Sequence, residues 1–188
     1  VWAIVFSIPI FLTVPEPSLG RPERRVGFFA SYRLLVHDVV GLYRNAETRT
    51  TFWFLLASAV FRDGLGGVFA FGAVIAATVF GFEFQELVIF GIAANLVAGV
   101  STIIAGRFDD RFGPKPIIIV SLASMILAGL AVFFLVDQGT TVFWIGGLIL
   151  CAFVGPAQSA GRSFLARVTP AGREGEIFGL YATTGRAA

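Results

Sequence analysis

Residues 116–136 decide the fold, because they read PIIIVSLASMILAGLAVFFLV without a single charged side chain. At 1.5 Å per residue, a helix of this length is about 30 Å long, which matches the hydrocarbon core of a bilayer. The whole chain of 188 residues has the same character, with 56% hydrophobic and only 14% charged residues. Soluble domains carry roughly a quarter charged residues. The sequence therefore predicts an all-α integral membrane protein.

Three further apolar stretches are long enough to cross the bilayer, and two shorter runs flank them. The long stretches cover residues 52–80, 84–105 and 141–158. The runs at residues 1–14 and 177–188 are too short for a full crossing, and we expect each to be a truncated transmembrane helix. The chain is therefore expected to be a fragment of a longer protein, with a transmembrane bundle over residues 51–188.

The basic residues predict how the spans are oriented. Twelve of the 14 Lys and Arg residues lie in three connecting segments, residues 15–50, 106–115 and 159–176. If every span crosses once, these segments share one side of the membrane, and the excess of Lys and Arg marks that side as cytoplasmic. Within the first segment, apolar residues recur every three or four positions over residues 26–43, which predicts an amphipathic surface helix.

Composition excludes several classes of function. The net charge of +2 comes from basic residues in short loops rather than from a basic stripe, so we expect no nucleic-acid partner. The chain has one cysteine, Cys151, and one histidine, His37, which leaves no His/Cys cluster for zinc or haem. We therefore expect no metal site and no cofactor.

Ionisable residues inside the spans are the first candidates for function, because such residues usually face a cavity or a partner. Arg62 and Asp63 lie near the middle of the span at residues 52–80, and Arg186 lies at a similar depth in the last helix. Adjacent residues of a helix do not face each other, so we expect Asp63 to pair with Arg186 across a cavity. A buried structural ion pair is the alternative.

Other polar and small residues at depth are weaker candidates. Asn95 and Gln158 are neutral polar residues inside two other spans, where each could line the same cavity or hydrogen-bond a neighbouring helix. Gly64, Gly66 and Gly67 follow Asp63 and would permit a local break in the helix or close helix packing.

The loop GRFDDRFGPK at residues 106–115 joins two spans and reads as a short, charged hinge. Its Asp109–Asp110 pair lacks the second acidic cluster that a metal-dependent membrane transferase needs. The loop resembles the signature loop of the major facilitator superfamily, Gly-x-Leu-x-Asp-Arg-x-Gly-Arg-Lys, with Phe108 in place of leucine and Pro114 in place of the penultimate arginine. The resemblance implies a gating loop made of Gly106, Asp109, Asp110, Arg111, Gly113 and Lys115.

Longer strings resemble one branch of this superfamily, the vacuolar amino-acid effluxers of fungi and their bacterial relatives. These strings lie at residues 54–64, 68–72, 90–95, 153–170 and 178–181. The resemblance implies a major-facilitator-type bundle of two six-helix halves, to which this chain gives the end of helix six, the central loop, helices seven to ten and the start of helix eleven. Helices seven, eight, ten and eleven would line the cavity, and these helices carry the candidates Arg62, Asp63, Asn95, Gln158 and Arg186.

The resemblance also implies a function. The expected protein is a secondary active transporter that moves a small solute by alternating access, with an amino acid as one candidate solute and a proton as one candidate coupling ion. Its partners would be the lipid bilayer and the missing N-terminal six-helix half, and a bacterial inner membrane is favoured over a eukaryotic vacuole. Two alternatives stay open, namely a membrane-embedded enzyme acting on a lipid or polyprenyl phosphate, and a channel or scaffold subunit.

Overall fold

The computed structural model describes residues 39–45, 48–170 and 172–184, and every regular element in these ranges is a helix. The elements are α1 (Arg49–Thr78), α2 (Phe84–Phe112), α3 (Pro114–Phe134), a 3₁₀ turn (Val136–Gln138), α4 (Thr140–Val168) and α5 (Glu174–Thr184). Residues 39–44, ahead of α1, are also helical. Helices α1 to α4 are each long and apolar enough to cross a membrane, which confirms the predicted partial bundle of transmembrane helices.

Three of the sequence predictions lie outside the described residues. They are the truncated helix at residues 1–14, most of the surface helix at residues 26–43, and the position of Arg186.

The helix ends follow local backbone chemistry. A capping box starts α2, since the Glu83 backbone N–H donates to Glu86 Oε2 at 3.0 Å while the Glu83 side chain accepts from the Glu86 backbone N–H. Gly113, with a φ of 83°, ends α2, and Pro114 begins α3 at once. Glycine tolerates this left-handed conformation, and proline suits the first position of a helix. A single residue therefore connects two membrane-crossing helices.

Two helices extend beyond the spans expected from hydropathy. The second span was expected to end at residue 105, but α2 continues to Phe112 and takes in most of the loop at residues 106–115. The fourth was expected to end at residue 158, but α4 continues to Val168. Each added stretch contains two arginines, and arginine is a good helix former, so α2 continues to Gly113 and α4 continues to the residues just before Pro170.

Helix α4 lies at the centre of the described bundle and contacts α1, α2 and α3. Its glycines permit close approach, because a Cβ on Gly155 would overlap Thr102 of α2 and a Cβ on Gly146 would overlap Val132 of α3. Helix α5 packs against α1. We call the end of the bundle that holds the α2–α3 connection the Gly113 end, and the opposite end, with the turns at residues 79–83 and 135–139, the Gly139 end.

Two buried apolar clusters lie at different depths in the bundle. The aromatic cluster consists of Ala76, Phe80, Phe82 and Phe143, with Phe90 and Trp144 packed against it, and lies at the Gly139 end. The middle cluster consists of Leu65, Met125 and Val154, with Phe61, Leu150 and Phe153 against it. Leu65 lies near the middle of α1, so this cluster lies at about mid-depth in the bundle.

Candidate functional site

Arg62 lies in the middle of α1 and contacts α5. It is 13 positions from Arg49 and 16 positions from Thr78, which correspond to about 20 and 24 Å of helix. Its Nη1 donates a hydrogen bond to the main-chain oxygen of Tyr181 at 2.8 Å, and its guanidinium lies 4.7 Å from the centre of the Tyr181 ring. The side chain is half-buried. The predicted intramembrane cation is therefore held in a defined position by a helix distant in sequence.

Asp63 occupies a different face of α1. It is exposed, and it forms no ion pair with any residue that the structure describes. Successive residues of an α-helix are about 100° apart, so Arg62 and Asp63 point in different directions. The predicted Asp63–Arg186 pair stays a prediction, because Arg186 is outside the described residues.

The helix is unbroken at the glycines that follow. α1 runs without interruption through Gly64, Gly66 and Gly67, so the local break that these residues would permit does not occur. A Cβ at any of the three positions would meet no described atom within 4 Å, which also excludes close packing on them by the described part of the chain.

A cavity of about 730 Å³ opens among α1, α2, α3 and α4 in the half of the bundle towards the Gly139 end. Five phenylalanines give it an aromatic wall: Phe69, Phe80, Phe90, Phe133 and Phe143. Asn95 and Cys151 are the polar side chains among its described lining residues, and none of these residues is charged. Its volume lies within the range of about 300–1,000 Å³ that is usual for small-molecule pockets.

Two sequence candidates differ in their relation to this cavity. Asn95 lines it, and its Nδ2 donates to the Gly91 carbonyl on the same helix at 2.8 Å. No described group donates to Asn95 Oδ1, so the amide oxygen is available to a ligand. Gln158 is half-buried on α4 but does not line the cavity.

Sequence reasoning missed the cavity wall and Tyr181. Apolar residues that line a cavity have the same hydropathy as residues that face lipid, so no pattern separates the two sets. Tyr181 lies in a string that carried the branch resemblance, but its contact with Arg62 depends on how α1 packs against α5.

The predicted gating loop is a helix end followed by one turn residue. Asp109 is 9% exposed, and its Oδ1 has no hydrogen-bond partner among the described residues. Asp110, Arg111 and Lys115 are exposed. The Gly113 backbone N–H donates to the Asp109 carbonyl at 2.9 Å, which closes the last turn of α2. The buried acid of the pair is therefore Asp109, whereas the resemblance aligned Asp110 with the signature acid.

Two contacts join α4 to its neighbours at the Gly113 end. A Cβ built on Gly113 would lie 3.5 Å from Arg167 Nη1, so the Arg167 side chain lies over the α2–α3 connection. A cation at that place is also stabilised by the negative C-terminal end of the α2 dipole. Thr51 Oγ1 of α1 donates to the Val168 carbonyl at 2.9 Å. Helix α4 thus contacts both the α2–α3 connection and the start of α1.

Comparison with known proteins identifies the family. A family model described as the Major Facilitator Superfamily matches residues 1–188, the full chain. The chain is 27% identical over 185 residues to YxiO of Bacillus subtilis (strain 168), described as an uncharacterized MFS-type transporter. The match covers 98% of this chain and 42% of that relative's length. No solved structure matches. On the match over its whole length, the chain belongs to the major facilitator superfamily.

Proposed function

We propose that this chain is part of a secondary active transporter that moves a small solute across the membrane by alternating access. The observation that carries the proposal is Arg62, a cation at mid-span that is fixed against α5. Ionisable residues inside membrane bundles are costly to bury and mark solute or ion pathways. Membership of the superfamily and the transporter name of the Bacillus subtilis relative support the same class of function.

The cavity and the middle cluster support an alternating path. Along α1, Leu65 lies between Arg62 and Val68, where the cavity lining begins. Alternating access requires a barrier that closes one side while the other is open. In this proposal, the middle cluster is that barrier, and the cavity is the part of the path on the Gly139 side.

The α2–α3 connection suits a gate. Because Gly113 alone joins the two helices, α2 and α3 cannot move far apart at this end, so they would shift together relative to α4. Arg167 of α4 lies over the connection, so its contact with Gly113 would change when α2 and α3 shift. We assign the gating role to Gly106, Asp109, Asp110, Arg111, Gly113 and Lys115, as the signature loop suggests.

The finer assignments belong to the same proposal. The chain would be a member of the vacuolar-effluxer branch, with an amino acid as candidate solute and a proton as candidate coupling ion. The N-terminal six-helix half would complete the site. The Gly113 end would face the cytoplasm of a bacterium, since the basic segments at residues 106–115 and 159–176 connect helices at that end. Asp63 and Arg186 would pair across the path, and swapping their charges should restore part of the transport that either single neutralisation removes.

Uptake by vesicles that contain the full-length protein tests the proposal. We expect saturable uptake of a small solute that depends on the proton gradient, and a loss of this uptake in Arg62→Gln. Uptake that neither saturates nor responds to any gradient would favour a channel. Turnover of a lipid or polyprenyl phosphate without solute uptake would favour the enzyme. Either result would reject the transporter.

A further inference from the structure

The partners of Arg62 fix its position but do not neutralise its charge. Its hydrogen-bond acceptor is the main-chain oxygen of Tyr181, and its second contact is the face of the Tyr181 ring. Both partners are formally uncharged, and cation–π contact is an attraction to the ring quadrupole. These two contacts with Tyr181 therefore leave the positive charge of the guanidinium unbalanced.

No described carboxylate supplies that balance. The side-chain ion pair among the described residues is Arg173–Glu176, in α5 and its N-terminal flank, and no carboxylate of the described residues lies within 4.0 Å of the Arg62 guanidinium. Asp63 is adjacent in sequence but exposed on another face of α1. A guanidinium has five N–H donors, and among the described residues only Tyr181 accepts a hydrogen bond from one of them.

Three helices hold Arg62 and its partner Tyr181 in position, because Tyr181 of α5 also packs against α4. A Cβ on Gly161 of α4 would lie 3.7 Å from Tyr181 Oη and 3.9 Å from Phe54 Cζ, so both aromatic side chains lie against this glycine. Phe54 belongs to α1 and Tyr181 to α5. The guanidinium is therefore pre-positioned, which lowers the entropic cost of binding a further group.

We infer that Arg62 binds a carboxylate of the solute, so that the solute is an organic anion or a zwitterion. The planar guanidinium matches a carboxylate in a two-bond fork. One carboxylate carries one negative charge, which equals the charge of Arg62, whereas a phosphate monoester carries close to two at neutral pH and would leave charge unbalanced. This inference rests on the proposed transport function and names the chemical group that its site recognises.

Matched pairs of solutes test the inference in the full-length protein. The probes are butyrate with butyramide, benzoate with benzamide, and phenylalanine with phenylalaninamide, each assayed by uptake into vesicles and by the shift in melting temperature of the purified protein. We expect at least one carboxylate to be taken up and to raise the melting temperature, while its amide does neither. The comparison uses the wild-type protein and so does not depend on any variant folding.

Variants then locate the contact. Arg62→Gln should weaken binding of the active carboxylate by about 10- to 100-fold, the usual worth of a charged hydrogen bond. Arg62→Lys keeps the positive charge but cannot form two parallel hydrogen bonds to a carboxylate. Its affinity for the carboxylate should lie between that of the wild type and that of Arg62→Gln. Arg162→Gln, which removes an exposed arginine of α4, is the matched control and should bind like the wild type.

The outcomes separate the inference from the transport function. Uptake of amides and carboxylates alike, or unchanged affinity in a folded Arg62→Gln, overturns the carboxylate contact and leaves a transporter of another solute. Uptake of none of the probes, with no shift in melting temperature, counts against the inference. If a wider set of neutral and cationic solutes is also not taken up, the transport function itself is rejected.

Discussion

Replacing Gly155 with alanine should loosen the contact between α2 and α4. An alanine Cβ would overlap Thr102 Oγ1 and would lie 3.2 Å from the Ala98 carbonyl oxygen and 3.3 Å from Thr102 Cβ. Thr102 cannot turn away freely, because its Oγ1 donates to the Ala98 carbonyl at 2.6 Å. The added methyl group therefore forces either the threonine or the whole of α2 to move.

The expected cost follows from these contacts. Forcing an extra methyl into a packed interior costs about 1–3 kcal/mol, and losing the threonine hydrogen bond costs about 0.5–1.5 kcal/mol more. Alanine regains about 0.5–1 kcal/mol through its better helix propensity. We expect Gly155→Ala to lower the free energy of unfolding by about 0.5–4 kcal/mol, measured as a lower melting temperature of the purified protein in detergent.

Two further variants make the test specific. Gly161→Ala is the control on the same helix, because its Cβ would meet atoms no closer than 3.7 Å, and its melting temperature should stay the same or rise. Thr102→Ala removes the overlapping oxygen, so the double variant Thr102→Ala/Gly155→Ala should recover most of the loss. If Gly155→Ala has the same melting temperature as Gly161→Ala, then α2 and α4 do not approach each other closely at Gly155.

Three other replacements have measurable outcomes. Asp109→Asn should raise the melting temperature by the equivalent of about 1–3 kcal/mol, because it removes a buried charge whose Oδ1 has no described partner. Thr51→Val should cost about 0.5–1.5 kcal/mol in the same assay, through loss of its 2.9 Å hydrogen bond to Val168. Gly129→Leu should fill part of the cavity and slow the modification of Cys151 by N-ethylmaleimide, followed by mass spectrometry.

Each of these has a matched control, and the first two controls lie in the same helix as the variant. Asp110→Asn alters an exposed acid and should leave the melting temperature unchanged. Thr78→Val removes a bond within α1 only, from Thr78 Oγ1 to a carbonyl four residues back. Gly99→Leu adds the same bulk as Gly129→Leu outside the cavity lining. A destabilised Asp109→Asn, or equal labelling rates in the two leucine variants, would contradict the burial or the cavity described above.

The spans were predictable because lipid leaves few choices. An apolar run of bilayer length must satisfy its backbone groups internally, so it forms a helix, and the run at residues 116–136 corresponds closely to α3, Pro114–Phe134. The ends were less predictable. Hydropathy falls at residue 158, but the hydrogen bonding of α4 continues to Val168 because nothing in that stretch breaks a helix.

Within the candidate site, Arg62 could be predicted from the sequence, whereas Tyr181 and the cavity could not. Arg62 stands out in sequence because a charge interrupts an apolar run. Its partner Tyr181 is 119 residues away, and only the packing of α1 against α5 brings the two together. The cavity has no sequence signal at all, since its phenylalanines resemble the many others of a chain with 21 of them.

Helix periodicity distinguishes Arg62 from the adjacent Asp63. Residues 62, 65, 69, 72 and 76 follow the spacing of one helix face, and Leu65 and Ala76 on that face are buried while Phe69 and Gly72 line the cavity. Arg62 shares this face, whereas Asp63 lies about 100° away and is exposed. Asp109 and Asp110 of α2 are likewise about 100° apart, and Asp109 is buried while Asp110 is exposed. For Arg62 and Asp63, the apolar residues three and seven positions further along α1 therefore indicate that Arg62 is the one that faces the bundle.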